Sequence, residues 1–403
     1  MINKDAIKEV IISQRKTLNE LDKGTLREVE AVKIEDSFAL IITGIRRCGK
    51  STFLNQLLMK QKNAYYLNLE DPRLEGFDLS DFNKIEEIMI SLYGKGGVYF
   101  FDEIQNIEKW EKFIRYLIDK KERVVITGSN ASLLSRELGT KLTGRHLQME
   151  MFPFSFKEFL SMKKQKPSVN SFQEYLYTGG FPEFIKKENP NILQELLSNV
   201  VMKDISARFG IKNTRILNQL LIYLISNTGK EFSYNSLKKM LEAKSVQSII
   251  DYIYYLENAY LIFTVPRFSY SYQKQQLSPK KVYSIDNGFS NSNSVSFSKD
   301  KGKMLENLAF LSLRRKWKEI FYFQTDKECD FLIKEKDKIT HAIQVCFNLN
   351  EDNKDREIHG LISALKEFNL KQGIILTYDQ DDYFIINEKK IIVKPVWKWL
   401  LNH

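Results

Sequence analysis

The sequence predicts an α/β fold that is divided into several domains. Residues 38–150 contain four short apolar runs that alternate with amphipathic segments, and continuous apolar strands of this kind are typical of a parallel sheet covered on both faces. A second group of strand-like runs follows a helical pattern after residue 301. The chain has 403 residues, which is more than one hydrophobic core usually supports, so we expect more than one domain.

Composition places the chain among ordinary globular proteins, with 43% hydrophobic and 28% charged residues. No apolar run is long enough for a membrane span, and the N-terminus lacks the apolar centre of a signal peptide, so we expect a cytoplasmic protein without a membrane partner. Cys48, Cys329 and Cys346 show no metal-ligand spacing and are expected to be reduced thiols. The net charge of +10 fits a polyanionic partner but is also common on plain surfaces.

The first predicted domain spans residues 1–155. It begins with a helical arm over residues 4–33, where apolar side chains recur at helical spacing. Four predicted strands follow, and their sequences are FALIITG, NAYYLNLE, GVYFFDE and RVVITGS. The segments between them have the pattern of amphipathic helices, as an α/β domain requires.

The loop after the first predicted strand has the sequence GIRRCGKS and matches the spacing G-x-x-x-x-G-K-[ST] of a P-loop. The glycines let successive backbone N–H groups point at phosphate oxygens, the lysine reaches the β- and γ-phosphates, and the hydroxyl binds Mg²⁺. A helix follows, and its N-terminus favours the anion. The pattern therefore predicts ATP and Mg²⁺ as cofactors. The residues predicted to contact the nucleotide here are Gly44, Arg47, Cys48, Gly49, Lys50, Ser51 and Thr52. Whether Arg46 and Arg47 face the phosphates or a partner is left open.

Two acids end the third predicted strand, GVYFFDE. Asp102, together with Ser51, would hold Mg²⁺, and Glu103 would polarise the attacking water. The alternative is a strand end with ordinary solvated acids. Beside a phosphate-binding loop, the catalytic interpretation is favoured.

Two further side chains are predicted to act in hydrolysis. The fourth strand ends in Ser129 and Asn130, and a polar residue there can orient the attacking water or contact the γ-phosphate. Arg145 follows in the segment LTGRHLQMEMFPFSF. It could stabilise charge in the transition state, from its own chain or from a neighbouring subunit, or it could form a surface ion pair.

Six segments occur in an order that resembles the bacterial and archaeal AAA-type ATPases with a C-terminal domain of poorly defined function. They are GIRRCGKST, YYLNLEDPR, VYFFDEIQN, VITGSNASLLS, LTGRHLQMEMFPFSFKEF and YLYTGGFPEF. The resemblance covers nearly the whole chain and implies ATP binding and hydrolysis, with a lid that includes a winged helix. It also implies an adenine contact by Gly180 and Pro182. From the residues alone, a helix-breaking turn explains that segment equally well.

The resemblance and the local patterns divide the middle of the chain into two predicted domains. Residues 156–230 form a helical lid. Residues 231–289 form a winged helix, because two short helices precede a hairpin whose basic loop region carries Lys274, Lys280 and Lys281. The second helix of this segment has few basic residues, so a DNA contact and an interdomain or regulatory role both remain open.

Residues 301–403 are predicted to form a last α/β domain, which resembles the restriction-endonuclease-like fold. In that fold a helix supplies a Glu, a strand an Asp, and the next strand a Glu-x-Lys pair around bound metal. Glu306 and Asp330 fit this pattern, but Gln344 and Cys346 occupy the third position. We therefore expect a nuclease-like fold without catalysis.

Three functional hypotheses follow from the sequence. The leading one is Mg²⁺-dependent ATP hydrolysis coupled to movement of the C-terminal domains, with DNA or a protein as the partner and an oligomer as one possible state. The second is a nucleotide-gated switch that binds DNA or protein and turns over slowly. The third is a nuclease powered by the ATPase.

Overall fold

The computed structural model describes residues 2–29, 33–128, 144–295 and 300–402. They form two compact units, Met1–Phe152 and Pro153–His403. The first unit is a parallel α/β sheet of the P-loop type, as the apolar runs predict. The second unit combines helices, a small antiparallel sheet and a mixed sheet.

The first unit contains a five-stranded sheet with all neighbours parallel, in the order β2-β3-β4-β1-β5. The strands are β1 (Ala39–Gly44), β2 (Ala64–Asn68), β3 (Val98–Asp102), β4 (Arg123–Gly128) and β5 (His146–Met151). The described helices of this unit are α1 (Lys4–Glu20), α2 (Lys50–Leu58), α3 (Phe82–Tyr93) and α4 (Trp110–Asp119). Strands β1 to β4 are the four predicted runs. The edge strand β5 was not predicted, because its sequence HLQMEM is mostly polar and half-exposed.

Strand order decides which strand ends become neighbours. Strand β4 lies between β1 and β3, with Ile42 beside Thr127 and Phe101 beside Ile126. Because all these strands are parallel, the segments that follow β1, β3 and β4 emerge at the same edge of the sheet. The predicted phosphate loop and the two predicted acids therefore share one edge.

The helical arm is shorter than the sequence suggests, because α1 ends at Glu20. Its apolar side chains, including Ile7, Val10 and Ile11, are buried in the core of the first unit. Gln14 ties the helix to the end of β2, since its amide donates to the carbonyl of Asn68 (3.0 Å) and accepts from the Asn68 N–H (2.8 Å). The arm is thus part of the domain.

The second unit starts with helices. They are α5 (Phe156–Lys163), α6 (Val169–Thr178), α7 (Pro182–Lys187), α8 (Asn191–Asn199), the π-helical stretch Val200–Ser206 that continues as Ala207–Phe209, and α9 (Arg215–Ser226). Ser155 and Ser168 begin α5 and α6, and each forms a capping box that satisfies the free N–H groups of the first turn.

A three-stranded antiparallel sheet follows, with the order β6-β8-β7. Its elements are β6 (Glu231–Phe232), α10 (Tyr234–Met240), α11 (Val246–Asn258), β7 (Ile262–Pro266), α12 (Tyr272–Leu277), β8 (Lys280–Ser284) and α13 (Asn287–Asn293). Two helices thus precede a hairpin, as predicted, but the hairpin loop contains the short helix α12. Lys280 and Lys281, which were predicted to belong to the basic wing region, both lie on β8, and Lys281 is buried.

The last part of the unit is a six-stranded mixed sheet in the order β13-β14-β12-β11-β10-β9. Its elements are α14 (Lys301–Lys316), β9 (Ile320–Gln324), β10 (Glu328–Glu335), β11 (Lys338–Val345), α15 (Glu351–Glu367), β12 (Gln372–Thr377), β13 (Asp382–Ile386), β14 (Lys389–Pro395) and α16 (Val396–Leu400). Strands β9 to β12 match predicted runs, whereas β13 and β14 were not predicted. The packed face of this sheet includes Leu332, Ile375 and Ile391 against Leu361 and Leu365 of α15.

A bilayer-spanning helix is not found: in the described ranges no helix combines sufficient length with sufficient apolar character.

Candidate nucleotide-binding site

The loop between β1 and α2 has the backbone of an anion cradle. Gly44 has φ +147°, and a Cβ there would collide with the carbonyl of Met151 on β5, so this close approach requires glycine. Gly49 has φ +99° and is the N-cap of α2, where the helix N–H groups are free. Arg47 also adopts a positive φ of 62°. The loop is therefore bent tightly over the end of the sheet.

Lys50 lies inside this loop. It is 4% exposed, and its Nζ donates to the carbonyl oxygens of Gly44 (2.9 Å) and Ile45 (3.1 Å). These carbonyls balance a buried ammonium group that would otherwise lack partners. A phosphate bound in the loop would compete with them for the same charge.

Asp102 ends β3 and is buried next to the loop. Burial raises the pKa of Asp102, and the Glu103 charge adds to this rise; hydrogen bonds from the hydroxyls of Thr127 and Ser51, together with the Lys50 charge, oppose it. The structure thus brings Lys50 and Ser51 of the loop motif together with Asp102 at the end of the third predicted strand.

Thr127 is a part of the site that sequence reasoning missed. It is fully buried near the end of β4. Its hydroxyl donates to Asp102 Oδ1, and the Thr127 hydroxyl oxygen accepts from the Glu103 N–H (3.0 Å). One hydroxyl group therefore positions both acids. The sequence holds one signal for Thr127, a threonine inside the apolar run VVITG. The residues predicted to act in hydrolysis were instead Ser129 and Asn130, which follow this run. Those two residues lie outside the described part of the chain.

Glu103 has a strained backbone. Its φ and ψ are 52° and 47°, a left-handed conformation that is uncommon for a residue other than glycine. Its carboxylate accepts from the Gln105 amide, and its backbone is held by Thr127. Behind this pair, the Tyr66 hydroxyl lies 3.4 Å from Asp102 Oδ2, and burial, with the Asp102 charge, raises the pKa of Tyr66.

Arg27 supports the loop from the segment after α1. Its Nη1 donates to the carbonyl of Cys48 (2.7 Å) and its Nη2 to the carbonyl of Phe152 (2.7 Å). Cys48 is buried, with its thiol 3.6 Å from the Met151 carbonyl. Arg27 carried no signal in the sequence because it lies in an irregular segment without periodicity.

Of the other loop residues, Ile45 is buried, whereas Arg46 and Arg47 are accessible to solvent. Arg46 forms an ion pair with Glu70 (3.5 Å), and Arg47 is exposed. Thr52 is exposed in the first turn of α2, and a Cβ on Gly24 of the arm would press against its methyl group. The arm therefore passes close to the start of α2.

Arg145 is not near the loop of its own chain. It directly precedes β5, where its carbonyl accepts from the Ala39 N–H at the start of β1 (3.2 Å). The loop leaves the other end of β1, roughly 17 Å away at the usual rise of a strand. Half-exposed Arg145 pairs with Asp119 (2.6 Å). This geometry matches the surface ion pair, which is one of the roles that the sequence left open for Arg145.

Pro182 belongs to the second unit, where it begins α7. The glycines before it have structural contacts inside that unit. Gly180 donates its N–H to Asp286 (2.7 Å) and accepts from the Phe154 N–H (2.7 Å), and a Cβ would collide with the Phe154 carbonyl. A Cβ on Gly179 would collide with the Asp286 carboxylate. Close packing inside this unit, against the Asp286 side chain and the Phe154 backbone, therefore accounts for both glycines.

Across the described ranges, no three or more His, Cys, Asp and Glu side chains are arranged as a metal site. Mg²⁺ does not require such a set, because it keeps several waters and binds through one or two protein oxygens together with substrate phosphates. The neighbouring Ser51 hydroxyl and Asp102 carboxylate fit that minimal set.

Two parts of the chain match known families. Residues 36–160 match a family described as an AAA domain, and residues 169–299 match a domain of unknown function (DUF8612). An uncharacterized protein of Methanocaldococcus jannaschii is 35% identical over 100% of this chain and 97% of its own length. An uncharacterized protein of Haemophilus influenzae is 32% identical over 81% of this chain and 87% of its own length. Among solved structures, AMPPCP-bound DnaA from Aquifex aeolicus has a TM-score of 0.26 and 12% identity, covering 62% of this chain and 88% of that chain.

Proposed function

This chain belongs to the same family as the uncharacterized Methanocaldococcus jannaschii protein, and its residues 36–160 match an AAA domain; we propose that it binds ATP with Mg²⁺ and hydrolyses it. The observation that carries the proposal is the loop of residues 44–51. It brings a buried lysine and a serine hydroxyl, at the end of β1, next to the buried Asp102 carboxylate at the end of β3. A tight turn without a ligand would need the glycines but not these three polar groups.

The binding step uses the backbone of the loop and the first turn of α2. The N–H groups that follow Gly49 have no partner within the helix and point toward its N-terminus, which favours an anion. Lys50 would exchange the carbonyls of Gly44 and Ile45 for phosphate oxygens. Arg27 keeps the loop in place by holding the Cys48 carbonyl.

Ser51 and Asp102 are the residues that would hold Mg²⁺. The metal would neutralise charge on the phosphate oxygens. A bound cation would stabilise the ionised form of Asp102, because burial raises the pKa of this carboxyl group and a positive charge opposes that rise. Thr127 fixes the direction of that carboxylate.

Glu103 is the proposed base. Its carboxylate lies directly after Asp102, and its left-handed backbone is held by the hydrogen bond to Thr127. A base that orients water must be held in one position, since a displacement of about 1 Å can cost roughly 100-fold in rate. Gln105, which donates to this carboxylate, helps to position it.

The second unit is proposed to respond to the nucleotide. Its segment 231–289, with two helices before a hairpin and the strand order β6-β8-β7, supports assignment as a winged helix. The partner is DNA or a protein, as the sequence suggests. Measuring DNA binding across salt concentrations, with and without ATP, distinguishes them, because phosphate contacts give a steep salt dependence.

The test is phosphate release from the full chain with ATP and Mg²⁺. Lys50→Ala is expected to lower the rate by about 100-fold or more, since it removes the main positive charge of the loop. Lys60→Ala, an exposed lysine just after α2, is the control and should keep the wild-type rate. Equal rates in wild type and Lys50→Ala would refute the proposal.

A further inference from the structure

A buried lysine lies at the centre of an acidic cluster in the second unit. Lys281 on β8 is 1% exposed. Its Nζ lies 2.6 Å from Glu328 Oε1, 2.9 Å from Asp330 Oδ1 and 3.3 Å from Glu306 Oε1. The acids come from α14 and β10, so a side chain of the three-stranded sheet is inserted into the C-terminal domain. We call Lys281, Glu306, Glu328 and Asp330 the lysine cluster.

The chain itself supplies donors to the oxygens of the two deepest acids. The second oxygen of Asp330 accepts from the Val345 N–H (2.9 Å). Glu306 Oε1 also accepts from the Tyr283 hydroxyl (2.7 Å), and Glu306 Oε2 accepts from Lys303 (2.7 Å). Each carboxylate oxygen of Asp330 and Glu306 therefore has a donor within the unit.

The charges in the cluster depend on one another. Burial opposes the charge on Lys281, but Asp330 and the other acids hold the pKa of Lys281 well above its usual value. Burial opposes the charge on Asp330 as well, and Lys281 with Lys303 keeps the pKa of Asp330 below its ordinary value. Burial also raises the pKa of Glu328 to about 7. Two buried carboxylates without a cation would be strongly unfavourable here.

The adjacent position on β11 is neutral. Gln344 Oε1 accepts from the Asp330 N–H (3.1 Å), and Gln344 Nε2 donates to Glu357 Oε2 (2.6 Å). An acid at this position could not donate to Glu357 and would add another negative charge beside Asp330. The glutamine therefore limits the negative charge to what Lys281 and Lys303 can balance.

We propose that Lys281 is the resident cation of this carboxylate site, occupying the position that a metal ion would otherwise have to fill. In this role it fastens the three-stranded sheet to the C-terminal mixed sheet, and the joint needs no metal. The inference is independent of the proposed nucleotide chemistry, because all the residues involved lie in the second unit.

The test is thermal unfolding of the full chain without nucleotide, with and without millimolar Mn²⁺. Lys281→Met keeps the length of the side chain but removes its charge, and we expect it to lower the Tm of the second unit by about 10 °C. Lys281→Ala removes the charge and leaves the Nζ position open, so Mn²⁺ should restore several degrees of the Tm that this variant loses and should leave the wild-type transition unchanged. Lys280→Met is the matched control and should behave as wild type, because Lys280 is the neighbouring residue of β8 and its Nζ donates to the Tyr234 hydroxyl (3.1 Å) instead of to the acids.

Three results would overturn the proposal. They are a Lys281→Met protein as stable as Lys280→Met, a Lys281→Ala protein that does not respond to Mn²⁺, and a wild-type protein that Mn²⁺ stabilises to the same extent as Lys281→Ala. If Lys281→Met does not fold, the triple variant Lys281→Met/Glu306→Gln/Asp330→Asn should fold, because it leaves neither deep acid charged. Failure of the triple variant to fold would also overturn it.

Discussion

Thr127→Val tests whether one buried hydroxyl controls the arrangement of the two acids. Valine has nearly the same shape as threonine, so the change removes hydrogen bonds without opening a cavity. Two contacts are lost: the hydroxyl no longer donates to the Asp102 carboxylate, and the Glu103 N–H no longer has an acceptor. Both sites are buried, so water cannot easily replace the lost partner.

The magnitude follows from these two contacts. A hydrogen bond to a charged group contributes about 1.5–3 kcal/mol, and a buried N–H left without an acceptor costs about 1–3 kcal/mol. We expect Thr127→Val to lower the free energy of unfolding of the first unit by about 3–5 kcal/mol. Glu103 would also be free to leave its left-handed backbone conformation, so kcat should fall about 100-fold. Nucleotide affinity should change little, because Thr127 does not belong to the loop.

Unfolding is measured in urea by the fluorescence of Trp110, the one tryptophan of residues 1–152, in a chain whose other three tryptophans are replaced by Phe. Hydrolysis is measured as phosphate release at saturating ATP. Thr127→Ser keeps the hydroxyl and is the rescue variant, with kcat expected within a few-fold of wild type. The reasoning is refuted if Thr127→Val keeps the wild-type kcat, or if Thr127→Ser is impaired as strongly.

Two further predictions concern groups that the sequence did not identify. Arg27→Met removes both hydrogen bonds to the Cys48 and Phe152 carbonyls, and we expect about 10-fold weaker ATP binding in a fluorescence titration because the loop loses its preorganised shape; unchanged affinity would contradict this. Burial raises the pKa of Asp286 from 3.8 to about 6. A carboxyl whose pKa is higher in the folded state binds more protons there, so the free energy of unfolding should fall by up to about 3 kcal/mol as pH rises from about 4 to 6. Asp286→Asn should lack this slope in urea titrations at several pH values, and a slope equal to that of wild type would rule out Asp286 as its source.

The tight loop of residues 44–51 was predictable from sequence because its pattern is local. Gly44, Gly49, Lys50 and Ser51 lie within eight residues, and their spacing alone defines the turn and the helix start. Asp102 was predictable for a similar reason, because an acid directly after an apolar strand lies at the carboxyl edge of a parallel sheet. The strands with continuous apolar runs, β1 to β4, were predictable from sequence as well.

The contacts that depend on strand order were not predictable. Thr127 meets Asp102 only because β4 lies between β1 and β3, and a single sequence does not state which strands are neighbours. The burial of Lys281 was not predictable either, because exposed and buried lysines look alike in a sequence until their partners are known. Those partners, Glu306 and Asp330, lie 25 and 49 positions further along the chain.

The hydrogen bond between the Gly180 N–H and the Asp286 carboxylate spans 106 positions of the chain. During synthesis, the turn before α7 therefore leaves the ribosome long before its acceptor exists. Helices α5 to α8 can form early from local signals such as their serine caps, but Gly180 must wait for residue 286 before its buried N–H has a partner. The entropy cost of closing so long a loop is only slightly larger than that of a loop of half the length. The long separation therefore delays the contact during synthesis but hardly weakens it at equilibrium. The early helices of the second unit can therefore gain this contact only after Asp286, at the start of α13, has been made.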